Sequence, residues 1–236
     1  MLFFFQNDIF NPIACIVKAK RACAEWRIQN CLSVDDYCTG RPFGPLSKNK
    51  IVQWEPPPIG RVKLNFDGSM LHTSAAGGYI IRNWRGTILS VGSNQYGYTS
   101  VMMADFGSNQ YGYTSVIMAE ARALRDGVQA AIVIGYKEII VEGDNQLIIN
   151  ALLGTISTPW QISNVLRDVR FLLQSSNNDQ FQVQYIFREA NMAADWLSKS
   201  GHLHQIDSTR SGSLPRELQK IVWEDMTGQA FVRKVA

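Results

Sequence analysis

From residue 62 onward, apolar positions recur first every second residue and then every third or fourth. Leu64 and Phe66 point one way and Asn65 and Asp67 the other, so Val62–Asp67 is predicted as a strand. Gly68 follows it, where the backbone can turn or a ligand can come close. Ala76–Arg82, entered through Gly77 and Gly78, and Thr87–Ser93 are two further strands, joined by a turn at Asn83-Trp84-Arg85-Gly86. These three form an antiparallel meander. Then the period lengthens. Ala121, Leu124, Val128, Ala131 and Ile132 line one side of a helix that starts at Glu120 and stops at Gly135. Glu138–Glu142, with Ile139, Ile140 and Val141 in succession, reads as a buried strand of the parallel kind. Helices over Asn145–Leu153 and Trp160–Leu173, a last strand over Phe181–Arg188 and a helix over Asn191–Ser200 complete the series. The order β-β-β-α-β-α-α-β-α predicts an α/β fold. Its one mixed five-stranded sheet has three antiparallel strands, then parallel ones, with helices on both faces.

The flanks differ in character. Residues 12–30 mix Ile13, Ile16, Val17 and Ile28 with Lys18, Lys20 and Arg27 at helical spacing, after Pro12. Residues 39–60 are rich in Gly and Pro and end in Pro56-Pro57-Pro58, a stiff linker. Three segments result: 1–52 as a helix and linker, 53–203 as the main domain, and 204–236 as a tail with a short helix. Within the main domain, 92–106 (GSNQYGYTSVMMADF) is followed at once by 107–121 (GSNQYGYTSVIMAEA), identical at twelve of fifteen positions. With no third copy this is a tandem duplication, not a solenoid. Glu120 continues into a helix, whereas its counterpart Asp105 precedes Phe106-Gly107-Ser108-Asn109, which is turn chemistry. The first copy's tail and the second copy's head are therefore expected to form an extended loop, tolerable because closure entropy grows slowly with length.

Charge narrows the function classes. The net charge is +3, but residues 61–200 carry 11 basic and 11 acidic side chains, so the main domain is neutral. Any nucleic-acid binding must come from local arrangement rather than a basic field. The four cysteines, Cys15, Cys23, Cys31 and Cys38, include no C-x-x-C pair, which argues against zinc, and reduced thiols are expected. Leu2–Phe5 is too short for a signal peptide or a span. The chain is expected to be an intracellular monomer, nuclear or cytoplasmic and not secreted, with no membrane partner.

The candidate chemistry is a set of acids. Asp67, Glu120, Asp144 and Asp195 each stand at a strand end or a helix start. Taken singly, each reads as a solvated cap or turn residue. As a set they have a better reason to gather: two Mg²⁺ ions about 4 Å apart take oxygen ligands and clamp the attacking and leaving oxygens of a phosphate. Without cations such a cluster raises its own pKa values.

The sequence around each acid resembles the ribonuclease H family, in particular its plant reverse-transcriptase-like, retrotransposon-derived branch. The matching pieces are Val62-Lys63-Leu64-Asn65-Phe66-Asp67-Gly68-Ser69, Gly77–Gly86, Ala119-Glu120-Ala121-Arg122-Ala123-Leu124, Val141-Glu142-Gly143-Asp144-Asn145 and Arg188–Lys199. They span roughly residues 54–200 and are specific as a set. The resemblance implies a ribonuclease H-like fold and hydrolysis of the RNA strand of RNA–DNA hybrids. It places Asp67, Glu120, Asp144 and Asp195 on the family's catalytic, metal-binding acids. It also implies Mg²⁺ as cofactor, with Mn²⁺ as a substitute. RNA would be told from DNA by 2′-hydroxyl contacts, for which Gly68, Ser69 and Asn145 are the candidate substrate-binding residues.

Two departures stand out. The family's loop histidine, between the last strand and the last helix, has no counterpart in Arg188-Glu189-Ala190-Asn191. His202 and His204 lie beyond the last helix, where they could reach the site, although a solvated tail is the commoner reading. The duplication falls between the third strand and Glu120. Removing it shortens the interval from Asp67 to Glu120 from 53 to 38 residues, 53 − 15, a family-like length. Two other readings compete with the enzyme. One is a catalytically inactive, retrotransposon-derived nucleic-acid-binding domain. The other is an interaction module built on the N-terminal helix and Leu218, Ile221, Val222 and Trp223.

Overall fold

The computed structural model describes residues 19, 49–72, 74–98, 115–175, 180–204, 206–207 and 214–234. Apart from residue 19, the expected N-terminal helix over 12–30 lies outside the described residues, as do the Gly/Pro-rich residues 39–48, Asp105 and the expected loop at 99–114. In chain order the elements are β1 (Asn49–Val52), β2 (Val62–Leu71), β3 (Ser74–Asn83), β4 (Ile88–Tyr98), α1 (Val116–Val133), β5 (Glu138–Gly143) and α2 (Gln146–Leu153). They continue with α3 (Ser163–Ser175), β6 (Gln180–Tyr185), α4 (Met192–Ser200), β7 (Ile206–Asp207), α5 (Arg216–Met226) and β8 (Phe231–Lys234).

The chain divides into two compact units, Pro56–Val222 and a second that holds residues 49–55 and 223–234. In the second, β1 and β8 pair antiparallel, with Asn49 opposite Lys234 and Val52 opposite Phe231.

The larger unit holds one sheet in the order β6-β5-β2-β3-β4-β7. β2, β3 and β4 form the antiparallel meander, while β5 runs parallel to β2 and β6 parallel to β5. The five expected strands are present in this mixed sheet. A sixth, β7, adds two residues opposite Gly92 and Ser93. A two-residue strand has no period for a sequence pattern to show.

β4 runs five residues past the expected Ser93. The added residues are the head of the first repeat copy, and they pair with the start of β3 across a register shift between Ser74 and Ala76. Gly97, at φ 107°, supplies the left-handed backbone at that irregularity. β6 ends at Tyr185, three residues short of the expected Arg188, and a 3₁₀ turn over Arg188–Ala190 leads into α4. The first turn of the expected helix at Trp160 is also 3₁₀, and α3 proper begins at Ser163.

The alternation along β2 sorts its side chains to two faces. Val62, Leu64 and Phe66 are buried in a cluster with Leu124 and Val128 of α1, Ile148 of α2, and Leu166 and Val169 of α3. Each such side chain contributes roughly 1.5–3 kcal/mol when fully buried. α1 sits close on this face, because a Cβ on Gly127 would lie 2.5 Å from Leu64 Cδ1. α4 covers the opposite face: a Cβ on Gly78 would lie 2.5 Å from the Leu197 Cβ.

Candidate active site

The four predicted acids meet where β2, β5, α1 and α4 come together. Asp67 lies on the α4 face of β2, and Asp144 directly follows β5. The parallel register pairs Asn65 with Glu142, so both carboxylates leave the sheet at the same end. Glu120 is in the second turn of α1, whose N-cap Ser115 accepts from the Met118 amide at 3.3 Å. Asp195 is in the first turn of α4. Asp67, Glu120 and Asp195 are buried and Asp144 is half-buried.

Burial and mutual repulsion set the electrostatics. Desolvation, followed by the charge of Asp144, pushes Asp67 up to about 7, against a hydrogen bond from Ser198. Desolvation and the charge of Asp67 push Glu120 up to about 8, against a hydrogen bond from Asn145. Asp144 is raised by burial, with Asn191 opposing. Asp195 is placed differently. Arg188 Nη2 lies 2.7 Å from its Oδ1, and Lys199 Nζ, one helical turn on, lies 2.6 Å from its Oδ2.

The hydrogen bonds between elements come from residues that were expected only as part of a motif. Asn191 Nδ2 donates to the Phe66 carbonyl at 2.9 Å and to Asp144 Oδ1 at 3.2 Å, so one amide fixes β2 and the end of β5 together. Ser198 Oγ lies 2.8 Å from Asp67 Oδ2 and 2.9 Å from the Asp195 carbonyl, with a single proton to give. Asn191, Asp195, Ser198 and Lys199 are spaced i, i+4, i+7 and i+8, one helix face, and that spacing was the available signal. His202 is not a solvated tail. Its ring lies 2.9 Å from Ser69 Oγ through Nε2 and 2.8 Å from Ser74 Oγ through Nδ1, and it ties the end of α4 to the β2–β3 hairpin. His204 is exposed.

The three predicted substrate contacts have structural roles of their own. Gly68 is inside β2, paired with Gly77, rather than at a turn. The close approach there is that of α1: a Cβ on Gly68 would lie 2.6 Å from Glu120 Cγ and closer still to the Glu120 nitrogen. Only glycine lets the two acid-bearing elements meet. Ser69 is half-buried and engaged by His202. Asn145 caps α2, accepting from Leu147 N at 3.0 Å and Ile148 N at 3.3 Å, and its side chain opposes the upward shift of Glu120.

A hard divalent cation suits this all-oxygen donor set. Glu120 Oε2 is buried with no hydrogen-bond partner, and Asp67 and Glu120 are poorly ionised as they stand. Both are signs of negative charge awaiting a counter-ion, so the residues fit the group. Among the described residues, however, no three His, Cys, Asp or Glu side chains are arranged to hold one ion.

A model of the reverse transcriptase-like family matches residues 65–201, more than half of the chain and all four acids. The chain belongs to the reverse transcriptase-like family. Solved structures bear out the ribonuclease H-like fold of this reverse transcriptase-like domain. RNase H1 from the halophilic archaeon Halobacterium salinarum aligns with TM-score 0.51 at 25% identity, over 60% of this chain and 97% of that one. The N-terminal RNase H domain of a Mycobacterium tuberculosis protein, solved as a maltose-binding-protein fusion, aligns with TM-score 0.50 at 19% identity, over 60% and 92%. LC11-RNase H1, isolated from compost, aligns with TM-score 0.50 at 19%, over 61% and 96%. No match was found among curated proteins. Among the described residues of this reverse transcriptase-like chain, no helix is long and apolar enough to cross a membrane.

Proposed function

We propose that the chain is a divalent-cation-dependent ribonuclease that hydrolyses the RNA strand of RNA–DNA hybrids. The observation that carries this reading is the pair Asp67 and Glu120: buried, held on adjoining elements with only a glycine between them, and short of positive charge. Asp67, Glu120, Asp144 and Asp195 would hold Mg²⁺, or Mn²⁺ in its place. Such ions, when bound, activate water and stabilise the leaving oxygen of a phosphate. The chain's own residues position that chemistry. Asn191 holds Asp144 and the end of β2 in one frame, and Ser198 orients Asp67. Ser69 and Asn145, half-buried, and the backbone at the buried Gly68 would supply the 2′-hydroxyl contacts, with His202 bonded to the Ser69 hydroxyl.

A second reading, a non-catalytic nucleic-acid-binding domain of retrotransposon origin, draws on the double ion pair at Asp195. Cleavage of a labelled RNA–DNA hybrid in Mg²⁺ separates the two. Hybrid-specific cleavage that Asp67→Asn lowers by at least about 10³-fold supports the enzyme. Hybrid binding without cleavage in Mg²⁺ or Mn²⁺ supports the second reading and overturns the first.

A further inference from the structure

The acid cluster is electrostatically uneven. Among the described residues, Asp67, Glu120 and Asp144 have no ion-pair partner, and the Oε2 of Glu120, a residue only 7% exposed, accepts no hydrogen bond. Asp195 has a cation on each oxygen, from elements on either side of it: Arg188 from the 3₁₀ turn before α4, Lys199 from the turn after Asp195 in α4. Both cationic side chains are more than half exposed, at 64% and 57%, while the carboxylate between them is 8% exposed. The charges therefore sit at the solvent rim and close over a buried oxygen pair.

We propose that Arg188 and Lys199 are built-in counter-cations that compete with a divalent cation for Asp195. The inference rests on the reading of this cluster as a cation site and assigns its uneven affinity to two named side chains. A metal ion approaching Asp67, Glu120 and Asp144 meets carboxylates that, among the described residues, make no ion pair. An ion that needs Asp195 must first displace two ion pairs and then lie near two positive charges. Arg188 also feels the charges of Asp67 and Asp144, so it bears on the neighbouring ligands as well. Removing a unit charge a few ångströms from a bound divalent cation is worth roughly tenfold in affinity even with the screening of bulk water, and more at the lower dielectric of a protein surface. Exposed ion pairs are individually weak, but this one ends on a buried carboxylate.

Mn²⁺ titration of the full chain by calorimetry, at low salt and without nucleic acid, tests this. The variants are Arg188→Gln/Lys199→Gln, the same pair with Asp195→Asn, and Lys199→Arg. The glutamine pair should bind Mn²⁺ at least about tenfold more tightly than the unchanged chain. Adding Asp195→Asn should remove most of that gain, leaving only the smaller share that Arg188 exerts on its other acidic neighbours, and Lys199→Arg should reproduce the parent. Equal affinity and stoichiometry in the parent and the glutamine pair overturn the proposal and leave the cation site standing. A gain that persists undiminished with Asp195→Asn also overturns it, because the charges then act on the whole site rather than chiefly on Asp195. No Mn²⁺ bound by any of the chains overturns the cation site and the competition together.

Discussion

The two faces of β2 bury their side chains equally well and by opposite means. On one, Val62, Leu64 and Phe66 are packed among aliphatic side chains of three helices. On the other, Lys63, Asn65 and Asp67 are buried at 5%, 0% and 7% exposure. Lys63 Nζ lies 2.8 Å from Glu142 Oε1, and Asn65 Nδ2 donates to Glu142 Oε2 at 3.0 Å. Gln184 Nε2 reaches Glu142 Oε1 at 2.5 Å, and Arg82 Nη2 reaches Asn65 Oδ1 at 3.3 Å. The polar face thus passes from a neutralised charge at Lys63 to an unneutralised one at Asp67 within four residues. An apolar face tolerates any partner of the right volume. A buried polar face works only if each atom meets its complement, because an unmatched buried charge costs several kcal/mol.

Removing one partner from each face gives the largest expected effects. Lys63→Met leaves the Glu142 carboxylate buried without its cation, for an expected loss of about 3–5 kcal/mol. Leu64→Ala leaves a cavity, for about 2–5 kcal/mol. Urea midpoints at constant m-value measure both. The faces part company on rescue: adding Glu142→Gln to Lys63→Met should recover part of the loss, since the carboxylate left by Lys63 is gone while Arg82, fully buried beside Asn65, keeps its charge. A Lys63→Met loss below about 1 kcal/mol would show that water already serves Glu142, and the comparison would fail.

The unneutralised end predicts a pH dependence of smaller size. Asp67 and Glu120 titrate near 7 and near 8 in the folded chain, and near 4 when unfolded. Between about pH 4 and pH 8 the folded state therefore holds more protons, and stability falls as pH rises. The favourable contribution is complete below pH 4 and is lost through 7 to 8. In chelator, the thermal midpoint should drop by several degrees from pH 5 to pH 8, and Mg²⁺ should restore it more at pH 8 than at pH 5. Asp67→Asn should flatten the slope and raise the midpoint at pH 8 while abolishing cleavage. A midpoint that climbs from pH 5 to pH 8 in chelator would mean that the acids are better solvated than their burial implies.

These contrasts also explain what could be read in advance. The apolar face of β2 is legible because alternation is local: Leu64 and Phe66 declare it by themselves. The four acids are legible because each sits in a short motif with its own strand end or helix start. The polar matches are not legible, because Glu142 lies 77 residues from Asn65 and Ser198 lies 131 residues from Asp67. Nothing near Lys63 says that its charge will be buried. His202 was misread for the same reason, since its partners Ser69 and Ser74 are more than a hundred residues earlier. At Gly68 the pattern offers a turn or a ligand approach; the glycine lies inside a strand, and the close approach of α1 that also requires it has no local signal.

The repeat gives the smallest predicted effect. β4 takes its end from the head of the first copy, and α1 takes its start from the tail of the second. The head is held there by Asn94 Nδ2 and Tyr96 Oη, which donate to Asp126 Oδ2 at 3.0 and 2.9 Å, and by Arg122, which donates to the Tyr96 carbonyl at 3.0 Å. Gly92 is also required, because a Cβ there would lie 2.6 Å from the Tyr79 ring carbon bearing the hydroxyl. The second copy repeats all of these residues as Gly107, Asn109 and Tyr111. Deleting 92–106 therefore puts the same side chains into the same strand positions and leaves α1 untouched. What changes is the connection, from the 17 residues 99–115 to two, Thr114 and Ser115. The shorter closure is worth up to about 2 kcal/mol in favour of the deletion. The thermal midpoint should stay level or rise by a few degrees, and the apolar and polar faces of β2 should respond to Leu64→Ala and Lys63→Met as before. A large drop would mean that two residues cannot carry the chain from β4 to α1, and that the duplication is needed to bring Glu120 beside Asp67.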